Sequence, residues 1–291
     1  MSVSLKPDMG TALVPGVSPQ VYSLVDFQRV AALVHAEAGI VLAEGKKMLV
    51  YSRLAPLLRK NGCATFTEYL DKVQSNRDLS TRTVASLTTN HTYFNRESHH
   101  FEHFADIVRP ELITSAQAGE AIRIWSAGCS SGEEIWNLMM VLLGADRIEG
   151  QHLAKLNFVA LASDLADHAI KAGSAAKYDT KALEAIPEPL RRNWCQEAGD
   201  QTAVGDVLRK LVRFRQLNLL GEWPMRNLFD VIFCRNVMIY FDQETKDHLV
   251  WRFAEQLRPG GYLYIGHSER VAGHAVDLLE SVGPTVYRRR T

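Results

Sequence analysis

The chain has 291 residues, with 33 Lys and Arg against 33 Asp and Glu, so no net field recruits nucleic acid or an anionic membrane. Its length suits one large domain or two smaller ones, and its 46% hydrophobic content is that of an ordinary globular protein. No apolar run approaches bilayer length and no charged-then-apolar export signal precedes the first helix; Cys63, Cys129, Cys195 and Cys234 are far apart without a CxxC pair, which implies reduced thiols in a cytoplasmic protein.

Residues 1–20 hold Pro, Gly and Ser without periodicity and predict a flexible leader. From Asp26 the spacing turns helical: Phe27, Val30, Ala31 and Val34 recur on one face and Gly39 closes the run. A second helix is expected from Glu44 to Gly62, interrupted by Pro56. Lys46, Arg53 and Lys60 lie seven apart in it and predict one basic stripe, drifting by about 20° per step. A third short helix around "TFTEYLDKV" completes an all-helical unit, residues 21–88.

Residues 89–291 alternate strand and helix. The runs "AIRIWSA", "LNFVALASD", "FDVIFCRN", "GGYLYIG" and "TVYRRR" predict strands, and "IWNLMMVLL", "LADHAIKAG" and "QETKDHLVWRFAEQL" predict helices, the last capped by Asp242. Apolar strands separated by helices imply a parallel sheet covered on both faces. Such sheets bind ligands beyond the carboxyl ends of their strands. That gathers the Gly128 loop, Asp164 and the Arg235–Asn236 pair around one crevice.

The loop "GCSSGEE" puts glycines 128 and 132 between strand and helix. It lacks the Lys of a phosphate-binding loop and ends in two acids, Glu133 and Glu134, which suit a cationic ligand without phosphate. S-adenosylmethionine is such a ligand, and Asp164 is placed to accept hydrogen bonds from its ribose. Both features also have a structural reading: the glutamates complement a helix dipole, and Asp164 caps the next helix.

Six stretches occur in a recognisable order: "LTTNHTYFNRE", "WSAGCSSGEE", "LASDL", "LNLL", "FDVIFCRNVMIYFD" and "LRPGGYLYIGHSE", with "GIVLAEGKKMLVYSRL" in the helical part. Together they resemble the chemotaxis receptor glutamate methyltransferases, the CheR family. The resemblance implies an α/β fold: a Rossmann-like, S-adenosylmethionine-dependent methyltransferase sheet with an N-terminal all-helical domain. A small antiparallel β insert is expected at roughly 175–214. It further implies that Asn90, Thr92, Arg96, Glu133, Asp164, Asn218, Leu219, Asn236 and Val237 contact the cofactor. Arg96 and Tyr240 would act at the reacting methyl and the substrate carboxylate. Here Asn95 stands where many relatives have Phe, and Ile135, Trp136 and Asn137 replace the residues usual after the acid pair.

The expected partner is the cytoplasmic methylation helix of a chemoreceptor, docked on Lys46, Arg53 and Lys60; some relatives also bind a receptor C-terminal tail at the insert, and the insert's residues here leave that contact open. No nucleic-acid partner and no membrane insertion are expected. Three function readings stay open from residues alone: a glutamate O-methyltransferase, a small-molecule methyltransferase, and a cofactor-binding signalling module without transfer. Arg96 also has a bland reading, pairing with Glu97 or a backbone carbonyl, and Tyr240 can be core. The cluster His99, His100, Glu102 and His103 offers an i, i+4 histidine pair, but no HExxH pattern is present and no metal is expected.

Overall fold

In the computed structural model, which describes residues 13–88 and 91–291, the chain divides into two units, Met1–Thr88 and Thr89–Thr291. The second is built on a seven-stranded sheet. Its strands are β1 (Ile122–Ala127), β2 (Phe158–Asp164), β6 (Val212–Gln216), β7 (Phe229–Cys234), β8 (Leu257–Ile265), β9 (Leu279–Gly283) and β10 (Val286–Arg289). The intervening strands β3 (Lys177–Asp179), β4 (Cys195–Ala198) and β5 (Gln201–Val204) form a separate antiparallel sheet.

The large sheet runs in the order β6-β2-β1-β7-β8-β10-β9. All pairs from β6 to β8 are parallel, and β10 is antiparallel to both of its neighbours. Side chains alternate between two cores. Ile122, Ile124, Val231 and Phe233 face the helices Ser98–His103 and Glu133–Leu143, while Trp125, Ala127, Ile232 and Cys234 face the helix Gln243–Gln256. Burial on both faces explains why β1, β2 and β7 are almost uninterrupted apolar runs. Asp242 caps the helix Gln243–Gln256 by accepting from the Thr245 amide at 2.8 Å.

Two strands go beyond the sequence expectation. β6 is short and half polar, "VRFRQ", and its first residues lie within the range assigned to the insert. It nevertheless pairs with β2 from Ala160↔Val212 to Asp164↔Gln216, because an edge strand needs only one buried side. β9, at the opposite edge, escapes an apolar pattern for the same reason.

The first unit contains the helices Leu24–Ala38, Lys47–Lys60, Phe66–Ser75 and Arg77–Leu87. The fourth has no counterpart among the expected elements; Asn76 starts it by accepting from the Leu79 amide. Two further expectations need correcting. Pro56 does not interrupt its helix: it sits on the exposed face, where the carbonyl its ring deprives of a donor meets water. Lys46 is not on that helix but ends a 3-10 turn, Glu44–Lys46, so the three basic residues do not form one continuous helical stripe. Arg53 is moreover engaged locally: its Nη1 donates to the carbonyls of Leu87 at 2.9 Å and Thr88 at 2.7 Å, satisfying the end of the fourth helix. Lys46, Arg59 and Lys60 remain exposed. Residues 1–12 of the expected leader lie outside the described residues; beyond them, Val14 is buried and the Val17 amide donates to its carbonyl.

Asp26 organises this unit. It completes a capping box with Ser23 and also accepts from the Thr67 hydroxyl at 2.8 Å, tying the first helix to the third. Asp26→Ala strands the Ser23 amide and a hydroxyl at a site only 2% exposed. It is expected to cost about 2 kcal/mol, seen as a lower urea midpoint by circular dichroism.

Candidate functional site

The carboxyl ends of β1, β2 and β7 meet at one crevice edge. After β1 the chain turns through Gly128, with φ of 78°, and Gly132, with φ of 91°, into the helix Glu133–Leu143. Gly128 is required on two counts. Its φ is left-handed, and a Cβ there would collide with Cγ2 of Val237 on the turn after β7. The loop amides are held by β2: Gly128 and Cys129 donate to the Ser163 carbonyl, and Ser130 donates to Asp164 Oδ2 at 2.8 Å. The other oxygen of Asp164 accepts from the Ala166 amide at 2.9 Å. Burial raises the Asp164 pKa against these two hydrogen bonds, which lower it.

The two glutamates of the loop separate. Glu133 stays by the turn, both oxygens accepting from the Ser131 hydroxyl, with its pKa raised by burial. Glu134 turns inward, accepts from Ser126 at 2.7 Å, and pairs with Arg235 Nε at 2.7 Å. The charge of Glu134 is therefore matched internally, and Glu133 and Asp164 are the acids left beside the turn. With no Lys or Arg between Gly128 and Glu134, the cradle suits a cationic group and hydroxyls rather than a phosphate.

Arg235 is the residue whose role motif reading passes over. It is 7% exposed, lies against the stacked rings of Phe101 and Phe233, and uses its fork in three directions. Nε meets Glu134; Nη1 donates to the Arg96 carbonyl at 2.7 Å and to His100 Nδ1 at 3.1 Å. Because a guanidinium only donates, Nδ1 of His100 is an acceptor, and the ring proton sits on Nε2, facing Thr285 Oγ1 at 2.8 Å. His100 is neutral: burial, then the Arg235 charge, lower its pKa to about 3. Glu97, His99 and His100 do bring ligand atoms within 4.8 Å of one another, but neither ring nitrogen of His100 has a lone pair left for an ion. His103 faces Tyr264 at 2.8 Å.

Next to this hub, Asn95 and Glu97 both have left-handed φ, 57° and 55°, as does Asn236 at 60°. Glu97 Oε1 accepts from Asn236 Nδ2 at 3.2 Å and faces His267 Nδ1 at 3.0 Å. Burial raises the Glu97 pKa, but bonds from His267 and Asn236 and the Arg235 charge outweigh it, leaving it below the usual value. Glu269 gathers the amides of Asn236, Met238 and Gly266. The turn after β7 is thus clamped from two sides.

Of the expected site residues, Glu133, Asp164, Asn236 and Val237 converge at the ends of β1, β2 and β7. Asn218 and Leu219 follow β6; the Leu219 carbonyl is pinned by Trp223 Nε1 at 3.0 Å and Arg252 Nη1 at 2.7 Å. Arg96 is joined to the group through its own carbonyl, while its Nη1 donates to the His91 carbonyl at 2.9 Å, so the bland reading accounts for one of its nitrogens. Thr92 is half-buried on the same segment. Tyr240 is half-buried on the 3-10 turn Met238–Tyr240, its amide 3.5 Å from the Val237 carbonyl. Asn90 lies outside the described residues. An Arg directly before a turn at the end of a buried strand was the available signal for Arg235.

Residues 90–287 match the family model "CheR methyltransferase, SAM binding domain", and residues 25–88 match "CheR methyltransferase, all-alpha domain". A Rhizobium etli protein named "Probable chemotaxis protein methyltransferase" is 41% identical over 265 residues, covering 89% of this chain and 97% of that one. Chemotaxis protein methyltransferase 2 of Pseudomonas aeruginosa is 39% identical, covering 91% and 93%. The chemotaxis protein methyltransferase of Escherichia coli is 37% identical, covering 90% and 89%. Among the described residues no helix is long and apolar enough to cross a membrane.

Arg235→Ala leaves Glu134 buried without its partner and is expected to cost about 3–5 kcal/mol. The double substitution Arg235→Met with Glu134→Leu removes both charges and is expected to recover most of that loss; urea midpoints measure both. His100 contributes a pH dependence. Its folded pKa is depressed, so the unfolded chain binds the extra proton, and stability is complete above pH 6.5 and falls as pH drops toward 3. His100→Asn should flatten that limb of a urea-midpoint profile taken between about pH 7 and pH 4.

Proposed function

The chain belongs to the CheR methyltransferase family, and we propose that it transfers the methyl group of S-adenosylmethionine to glutamate side chains of a chemoreceptor, forming glutamyl methyl esters. Membership carries S-adenosylmethionine-dependent methylation in chemotaxis; the carboxylate acceptor and the residue roles are our reading. The observation that supports it best is the setting of Arg96, whose backbone is held by a buried Arg235 and whose guanidinium lies over the Tyr93 ring with only Nη1 in a hydrogen bond.

When bound, S-adenosylmethionine supplies a methyl on a sulfonium that needs no further activation as a leaving group. In this reading Glu133, Asp164, Asn218, Leu219, Asn236 and Val237 hold it together with Thr92, and Asn90 keeps the contact that the family resemblance implies. A free glutamate side chain has a pKa of about 4.3, so the acceptor carboxylate is ionised near neutral pH and no general base is needed. The remaining task is alignment, which is worth up to roughly 7–11 kcal/mol in favourable cases. Arg96 presents Nε and Nη2 to the carboxylate as a two-pronged donor, a geometry Lys does not reproduce. The Tyr240 ring walls the methyl from water. On the helical unit, receptor docking falls to the exposed Lys46, Arg59 and Lys60; Arg53 supports that surface by holding the fourth helix end.

Methyl transfer from labelled S-adenosylmethionine to receptor-containing membranes, followed by mild alkali, tests the ester. Volatile methanol is expected; label that resists alkali means transfer to nitrogen or carbon and sinks the glutamate assignment. Arg96→Ala should lower transfer at least about a hundredfold with S-adenosylhomocysteine affinity largely kept. Full activity in that variant removes Arg96 from the mechanism, and binding without any transfer in the unsubstituted chain favours the signalling-module reading.

A further inference from the structure

Beside the edge strand β6 the second unit has a cavity of about 450 Å³ that the transfer reaction does not use. Arg209 and Lys210, from the helix Asp206–Leu211, and Arg213 and Arg215, from β6, line it together with Trp136 and Phe214. Its one lining carboxylate, Asp206, lies 3.6 Å from Arg209. Lys210, Arg213 and Arg215 have no carboxylate partner among the described residues. Four cations facing one concavity with a single acid repel one another, and an anion between them relieves that repulsion.

The arginines are also oriented. Arg213 Nη1 donates to the Lys210 carbonyl at 2.7 Å and Arg215 Nη1 to the Phe214 carbonyl at 2.7 Å. Each guanidinium is thereby held by one nitrogen, with Nε and Nη2 left for a ligand. Side chains two apart on a strand share a side, so Arg213 and Arg215 offer two forks in parallel. Forks of this kind match phosphate oxygens.

The cavity is distinct from the cofactor crevice. Arg213 lies opposite Leu161, three residues before the Asp164 end of β2. Its inner wall nevertheless touches the cofactor loop: a Cβ on Gly132 would lie 3.2 Å from Phe214 Cζ, and Trp136 Nε1 donates to the Gly173 carbonyl at 3.1 Å beside it. We propose that this cavity binds a phosphorylated small molecule with adjacent phosphate charges, of the pyrophosphate or nucleoside-diphosphate class. Its volume is that of a small-molecule site.

Inorganic pyrophosphate titrated calorimetrically into the full chain at about 0.15 M ionic strength tests this. Saturable one-site binding is expected, weakened at least about tenfold by Arg213→Ala with Arg215→Ala. S-adenosylhomocysteine affinity, unchanged in the double variant, shows that it is folded. Absence of saturable heat, or equal affinity in the double variant, overturns the proposal. Tighter binding of hexaglutamate than of pyrophosphate, lost in the same variant, also overturns it and assigns the surface to an acidic protein segment.

Discussion

The buried pair of Arg235 and Glu134 is the constraint on which the site depends. Glu134 belongs to the helix that follows the cofactor loop, Arg235 to the end of a central strand, and the Arg96 carbonyl to a segment before the first strand. One guanidinium therefore joins three stretches that are remote in sequence. Taking both charges out of water is costly, and the pair is tolerable because the remaining donors and acceptors are used: Ser126 on Glu134, and the Arg96 carbonyl and His100 on Arg235. The outcome is a fixed backbone at Arg96, whose own Nη1 donates to the His91 carbonyl.

The other acids near the crevice act in the same way. Asp164 collects two backbone amides and Glu269 three. Carboxylates that accept backbone N–H groups at strand ends hold turns that glycine and asparagine alone would leave loose. This is how the left-handed residues Ser130 and Asn236 are kept in place at the end of the sheet. A carboxylate engaged on one lone pair of each oxygen still has acceptor capacity for hydroxyls, so holding the loop does not exhaust Asp164.

The same sheet separates two electrostatic settings. Its carboxyl end is acidic through Glu133 and Asp164, whereas the outer edge at β6 is basic. Phe214 and Trp136 lie between them, the two rings 5.5 Å apart. A balanced total charge thus conceals a divided distribution, which composition does not reveal.

Much of the fold is legible in the chain. Apolar runs identify β1, β2, β7 and β8, because buried parallel strands must be apolar on both faces, and the glycine loop locates the crevice through local turn chemistry. β6 and β9 are not legible, since edge strands carry polar residues, and the partner of β6 lies about fifty residues earlier, in β2. The basic stripe misleads because a spacing of seven assumes an unbroken helix, and the folded unit puts Lys46 on a 3-10 turn and bends Arg53 onto helix-end carbonyls. Local periodicity and short motifs are enough for the family, the sheet and the residues at its carboxyl end, because each of those is written in neighbouring residues. Folding alone settles that Glu134 is spent on Arg235, that His100 is neutral, and that four cations share one cavity. The first two rest on contacts between elements that no sequence window spans, and the third on the break from helix to strand that turns four neighbouring cations toward one concavity.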